Sequence, residues 1–324
     1  MRRTAAALIV PLLAALALVG CGSSGSSTTS ASNPNASVKV TGAFGKAPQV
    51  KIPKEAASGK LAVSTPIKGT GPALATGQDV LANVAIYIWN GKTSKLLQST
   101  YASVPQVLPS NVGLTGLAQA VKGQTMGSRV LAVLPPKFGY GTTGNSQLGV
   151  TGTDTTVWVL DLIQSFSPTA SATGKQVSTG GGTLPTVKAS AAGVAPTITI
   201  PKNAPSSKLV AKTLVQGTGP KLTANQTVVA QYVAVNYRTK KVFNTTWPST
   251  TSPGAPFSFA LATTDVVPGF VKGLTGVPVG SRVMLVIPPA DGYGKAGQPS
   301  VGIKGTDTLV FVVDILAEVP ANGA

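Results

Sequence analysis

The feature that most constrains this chain of 324 residues is an internal repeat. P-Q-V-K-I-P-K at 48–54 returns as P-T-I-T-I-P-K at 196–202, and G-T-G-P at Gly69 returns at Gly217, both 148 positions on. Further along, G-S-R-V-L-A-V-L-P-P-K-F-G-Y-G from Gly127 matches G-S-R-V-M-L-V-I-P-P-A-D-G-Y-G from Gly280 at 10 of 15 positions, now 153 apart. The second copy has therefore gained a net five residues between about Val228 and Phe270. Copies of about 120 residues are too long for solenoid repeats and long enough to bury a core each, so they read as duplicated globular domains.

Within the second copy apolar and polar residues alternate over 228–236, 257–261, 282–287 and 308–316, the period of strands with one buried face. One short helix is predicted from Pro268, in P-G-F-V-K-G-L-T-G, where proline suits the first turn and Gly276 a terminal cap. The expected class is α+β, each domain an antiparallel β-sheet with one short helix packed on it.

The domains are expected at 47–166 and 195–319. Segments 21–46 and 167–194, with G-S-S-G-S-S-T-T-S and T-G-G-G-T, are too poor in apolar residues to bury a core and are predicted as a flexible tether and an interdomain linker. At the start, Arg2 and Arg3 precede an uncharged apolar run at 5–19, shorter than the ~20 residues of a membrane span, so 1–20 reads as an export signal. Leu18-Val19-Gly20-Cys21 resembles the lipobox of bacterial lipoproteins. That resemblance implies a diacylglyceryl anchor on Cys21 and a place on the extracytoplasmic face of a bacterial cell membrane. An ordinary export signal with a coincident cysteine is the other reading.

Composition excludes several chemistries. With no His and one Cys there is no Ser-His-Asp or Cys-His catalysis, no imidazole or thiolate metal site and no internal disulfide. No metal and no cofactor are expected. The formal charge of +17 is spread along the chain without a block of five basic residues. It favours loose attraction to an anionic envelope, and nucleic acid is not an expected partner.

V-V-P-G-F-V-K-G-L, followed by the G-S-R-V-M-L-V-I-P-P-A-D-G-Y-G segment and T-L-V-F-V-V-D-I-L, resembles the FKBP-type peptidyl-prolyl cis-trans isomerases over most of 208–319. The resemblance implies two FKBP-like domains, each a curved antiparallel β-sheet of five to six strands around one short helix. It also implies an apolar pocket for a proline ring. Phe270 corresponds to the pocket floor, usually a tryptophan, and Tyr232, Phe243, Phe257 and Phe311 to its walls. Val266 and Val267 take the aliphatic positions before the helix, Val267 offering its N–H to the ligand, and Tyr293 brings the hydroxyl that bonds a substrate carbonyl. Asn244 stands where the family usually has an aspartate; its amide can accept a hydrogen bond from Tyr232 but carries no charge. Asp291 and Asp307 are read as turn caps, not as a catalytic carboxylate pair.

The first copy is degenerate at these positions. Val84, Leu97, Gln98 and Leu117 replace Tyr232, Phe243, Asn244 and Phe270, and P-F-S-F at 256–259 is read as having no counterpart in V-P-Q-V-L-P-S. Tyr140 and Trp158 remain, while Trp89 and Tyr101 are read as strand packing. The function expected from the resemblance is that of a lipid-anchored prolyl isomerase acting on Xaa-Pro segments of exported polypeptides, with catalysis in the second copy. Macrolides of the rapamycin type are further implied ligands. The alternative is a non-catalytic, polypeptide-binding envelope lipoprotein.

Overall fold

In a computed structural model of the chain, the described residues are 34–191, 193–249 and 254–319; residues 1–20, expected as an export signal, and Cys21 lie outside them. The first copy runs β1 (Lys39–Thr41), β2 (Gln49–Lys51), β3 (Ala62–Ile67), β4 (Asp79–Trp89), β5 (Ser94–Ser99), β6 (Gln106–Leu108), α1 (Thr115–Val121), β7 (Arg129–Leu134) and β8 (Thr155–Phe166). The second runs β9 (Lys175–Gln176), β10 (Thr186–Lys188), β11 (Thr197–Thr199), β12 (Val210–Gln216), β13 (Thr227–Asn236), β14 (Val242–Thr245), β15 (Phe257–Ala260), α2 (Pro268–Leu274), β16 (Arg282–Ile287) and β17 (Leu309–Val319).

Two antiparallel sheets follow the repeat. The first has the order β3-β7-β8-β4-β5, with β6 beside the opening of β4; the second has β14-β13-β17-β16-β12-β9, with β15 beside the opening of β13. Six residues separate β5 from β6 and eleven separate β14 from β15, so the extra residues of the second copy fall in that crossing. β6 is the counterpart of β15: Val80 faces Leu108 as Val228 faces Phe259. The first copy therefore keeps this strand, with Gln106-Val107-Leu108 in place of Phe257-Ser258-Phe259.

Each α-helix is seven residues, too short to persist alone, and is held by the sheet beneath it. Gly269 and Gly273 face β16 so closely that an added Cβ would lie 2.7 Å from Ile287 Cγ2 and 2.5 Å from Leu285 Cδ2. That approach lets Phe270 and Leu274 sink into the core, at 5% and 0% exposure. Pro268 opens the helix, and Gly276 follows it at φ +82°, a conformation that suits glycine.

Alternating, half-buried strands are expected, and the structure differs. All six residues of β16 and the first seven of β17 are buried, because each sheet is covered on both faces. The helix side holds one core; the other side is closed by a two-stranded ribbon ahead of each copy, β1-β2 and β10-β11. Val38, Val40 and Val50 pack with Trp89, Leu131 and Val157, while Val187 and Ile198 pack with Trp247, Met284 and Val312. Segments 21–46 and 167–194, expected to be flexible, thus contribute β1, β9 and β10.

Buried ion pairs tie these segments down. Arg129 meets both oxygens of Asp161 at 2.7 Å, and Arg282 meets Asp314 at 2.6 and 2.7 Å. Breaking such a pair strands a buried charge, a cost of about 3–5 kcal/mol. The leftover hydrogen-bonding capacity is taken up by backbone. Arg129 donates to the carbonyls of Gly42, Ala43 and Lys46, Gly45 N–H donates to Asp161, and Ala172 N–H donates to Asp314 at 2.9 Å.

The copies also share a cluster in which Leu81 and Phe166 pack with Val229, Ala317 and Val319. Beside it, Ser258 Oγ donates to Pro105 O at 2.8 Å.

Candidate functional site

The second copy gathers its aromatic side chains into a closed circuit. Phe259 meets Phe270 edge-on (centroids 5.8 Å apart), Phe270 meets Phe311 (4.9 Å), Phe311 meets Tyr232 (5.9 Å), Tyr232 meets Phe257 (6.1 Å), and Phe257 stacks on Phe259 (5.5 Å). Phe243 joins from β14, edge-on to Phe311 at 5.8 Å. Such ring pairs contribute about 0.5–1.5 kcal/mol each beyond the area they bury. Strand register explains the convergence: Ala234 on β13 pairs with Phe311 on β17, Tyr232 lies two residues away on the same face, and α2 lowers Phe270 onto them.

Burial grades across this set. Phe259, Phe270 and Phe311 are buried, Tyr232 and Phe243 are half-buried, and Phe257 and Tyr293 are exposed at 42% and 38%. The result is an apolar floor with an accessible aromatic rim. Val266 and Val267 pack against the same core at the helix entrance. Among the described residues neither the Val267 N–H nor the Tyr293 hydroxyl has a hydrogen-bond partner within the chain, so both are free for a ligand. Burial, and secondarily the neighbouring Tyr293, push the Tyr232 hydroxyl above its ordinary pKa, so it stays protonated.

Asn244 lies beside Phe243 at the edge of this set. It is exposed on β14, and its side chain makes no hydrogen bond among the described residues, to Tyr232 or otherwise. A β-bulge leaves Phe243 as the extra residue of β14, edge-on to Phe311, while Asn244 pairs with Ala234 of β13. Thr245 and Thr246 hold Tyr232 instead: Tyr232 N–H donates to Thr246 Oγ1 at 2.8 Å and Thr245 Oγ1 donates to Tyr232 O at 3.1 Å. Phe259, which closes the circuit, was not singled out from the sequence, although it lies two residues from Phe257 and so on the same face.

The two loop aspartates are structural. Asp307 accepts from Arg238 at 2.6 and 2.8 Å, Asn236 at 2.7 Å and Lys304 N–H at 3.0 Å. Asp291 pairs with Lys272 at 2.6 Å, linking α2 to the turn that leads into Tyr293. Among the described residues no group of His, Cys, Asp and Glu could hold a metal. In the first copy Trp89 is packing, its indole N–H bonded to Glu55 O at 3.0 Å.

Residues 219–316 match the family described as FKBP-type peptidyl-prolyl cis-trans isomerase. An "FK506-binding protein" of Streptomyces anulatus is 34% identical over 122 residues, spanning 38% of this chain and 95% of the relative. The chain belongs to the FKBP-type peptidyl-prolyl cis-trans isomerase family. Its enzyme class is accordingly peptidyl-prolyl cis-trans isomerase, and the matched FKBP residues are those of the second copy, where the ring circuit lies. FkpA of Escherichia coli K12 is 40% identical over 92 residues, covering 28% of this chain and 33% of FkpA, so the match spans a third of that FKBP's length. A crystal structure of FkpA from Escherichia coli is 37% identical, with 35% of this chain and 49% of that FKBP covered at a TM-score of 0.31.

Proposed function

We propose that the chain is a lipid-anchored, extracytoplasmic prolyl isomerase that assists exported polypeptides, with catalysis in the second of two FKBP-like domains. The reading is carried by the ring circuit with its free donors. Amide resonance sets a rotational barrier of about 18–20 kcal/mol, and crossing it breaks no bond and needs no nucleophile, metal or titrating base. A proline ring resting on Phe270 and Phe311, between Tyr232, Phe243 and Phe257, leaves water behind and with it the solvent hydrogen bonds that favour the planar amide. The Val267 N–H and Tyr293 O–H then serve as positioned donors for the carbonyls of the twisted peptide, and each ~1.4 kcal/mol removed from the barrier is tenfold in rate. Macrolides of the rapamycin type would occupy the same apolar floor.

The test is isomerisation of a short Xaa-Pro peptide by the full chain and by a Phe257→Ala/Tyr293→Phe variant; rates equal to buffer for both overturn the enzymatic reading. Polypeptide binding without catalysis is a second reading, motivated by the solvent-facing Asn244. Rapamycin binding without rate enhancement would favour it.

For the anchor, support comes from Cys21 directly after Leu18-Val19-Gly20 in the sequence. A Cys21→Ala chain is expected to lose incorporation of labelled lipid and to leave the membrane fraction; a variant that stays bound contradicts the anchor.

A further inference from the structure

Between α1, β6 and the turn at 74–78, the first copy has an open cleft of about 230 Å³, walled by Leu74, Val80, Leu108, Leu117 and Val121. Its origin is visible in the second copy. Leu108 occupies the position of Phe259, and Ser110, two residues on, that of Leu261. On the helix Leu117 stands for Phe270, Ala118 for Val271 and Val121 for Leu274. All five replacements are smaller. In the second copy Phe259, Leu261, Phe270 and Leu274 are all buried at this place, whereas in the first Ser110 and Ala118 are exposed and Leu108 and Val121 only half-buried.

The frame around the cleft has not collapsed to compensate. Gly116 holds α1 against Leu134 and Phe138, as Gly269 holds α2 against Ile287, and Leu74 and Val80 keep the places of Leu222 and Val228. The opening is therefore shaped for the groups the second copy supplies from its own chain, a phenyl ring and branched aliphatic side chains. Of the first copy's counterparts of the ring circuit it takes in Leu108 and Leu117, while Val84, Gln106 and Trp158, which stand for Tyr232, Phe257 and Phe311, do not line it.

We propose that this cleft is a binding site for a phenyl-sized apolar side chain of an incoming polypeptide, separate from the proline site. The second copy shows the chemistry of the occupant, Phe259 seated beside Val228. The rim suits a peptide: Thr76, Gln78, Ser110 and Lys122 surround the apolar walls with hydrogen-bonding groups. Water against apolar walls has few partners, so an apolar group gains by displacing it. The choice of a polypeptide as the source of the ring rests on the proposed function; the cleft itself does not.

The experiment uses the full chain with methyl-labelled Leu and Val, titrated with acetyl-Gly-Phe-Gly-amide, acetyl-Gly-Ala-Gly-amide and toluene, none of which contains proline. The expected result is saturable shifts of the Leu74, Leu117 and Val121 methyls with the Phe peptide and none with the Ala peptide. Ser110→Leu, which restores the second copy's residue, should weaken that binding by about tenfold or more. If Ser110→Leu disturbs folding, Ala118→Val fills the same cleft from its exposed side. Isomerisation of an Xaa-Pro peptide should be unchanged in either variant, which separates failure of this proposal from failure of the enzymatic one. The proposal is overturned if these methyls do not respond, if the filled variants bind equally well, or if toluene saturates the cleft while the Phe peptide does not.

Discussion

Phe270 on α2 and Phe311 on β17 stand edge to face, ring centroids 4.9 Å apart and planes at 86°. The contact joins the helix to the central strands and sets the floor on which the other rings rest. In the first copy the same two positions hold Leu117 and Trp158. Phe270→Leu should therefore convert the floor toward that of the first copy, losing ring contacts with both Phe259 and Phe311. The expected cost is about 1–3 kcal/mol in urea unfolding, from two aromatic pairs at about 0.5–1.5 kcal/mol each. Peptide isomerisation should fall at least in step; a variant of unchanged stability and rate would remove Phe270 from the site.

Tyr293→Phe separates chemistry from stability. The hydroxyl has no partner within the described chain and the ring is 38% exposed, so the thermal midpoint should hold. Loss of one hydrogen bond worth about 0.5–1.5 kcal/mol in the transition state predicts a fall in kcat/KM of roughly two- to tenfold, read in the Xaa-Pro peptide assay.

Asp314 anchors both Arg282 and the Ala172 N–H. Asp314→Asn leaves the Arg282 guanidinium buried without its counter-charge, and a loss of about 3–5 kcal/mol is expected in urea unfolding. Arg282→Met/Asp314→Leu should recover much of it, since the pair then leaves together. Limited proteolysis should cut first near 167–174 in the single variant, because its docking bond is lost there.

Acid should weaken the second copy through Asp307. Hydrogen bonds from Arg238, then from Lys304 N–H and Asn236, hold its carboxyl well below the usual carboxylate range. A carboxyl depressed in the folded state contributes stability above its unfolded pKa of about 3.9, and that contribution is lost as pH falls below it. The urea midpoint should drop between pH 6 and pH 3. Asp307→Asn should start lower at pH 6 and lose less over the same interval; a parallel decline would exclude Asp307 as a source.

The helix of the site was legible from local signals, and its aromatic positions from the order and spacing of the family's motifs. Pro268 and Gly276 bracket α2 through backbone preference alone, and Tyr232, Phe243, Phe257 and Phe311 fall where strand register brings them together. Phe259 carries the same period-two signal, two residues from Phe257. The ribbons were not legible, since β1 and β10 are three-residue strands whose burial comes only from the sheet face they meet. A hint of them lay in V-M-L-V-I of β16 and V-F-V-V of β17, runs too continuous for a half-buried strand. The bulge at Phe243, beside Asn244, was not legible either, because it is set by the pairing of β14 with β13.

The most direct test of the account is the rate of cis-trans exchange of a short Xaa-Pro peptide with the full chain present. The account predicts enhancement over the uncatalysed rate, abolished by saturating rapamycin and sharply reduced in Phe257→Ala/Tyr293→Phe. A folded chain that leaves the exchange at the buffer rate would contradict it.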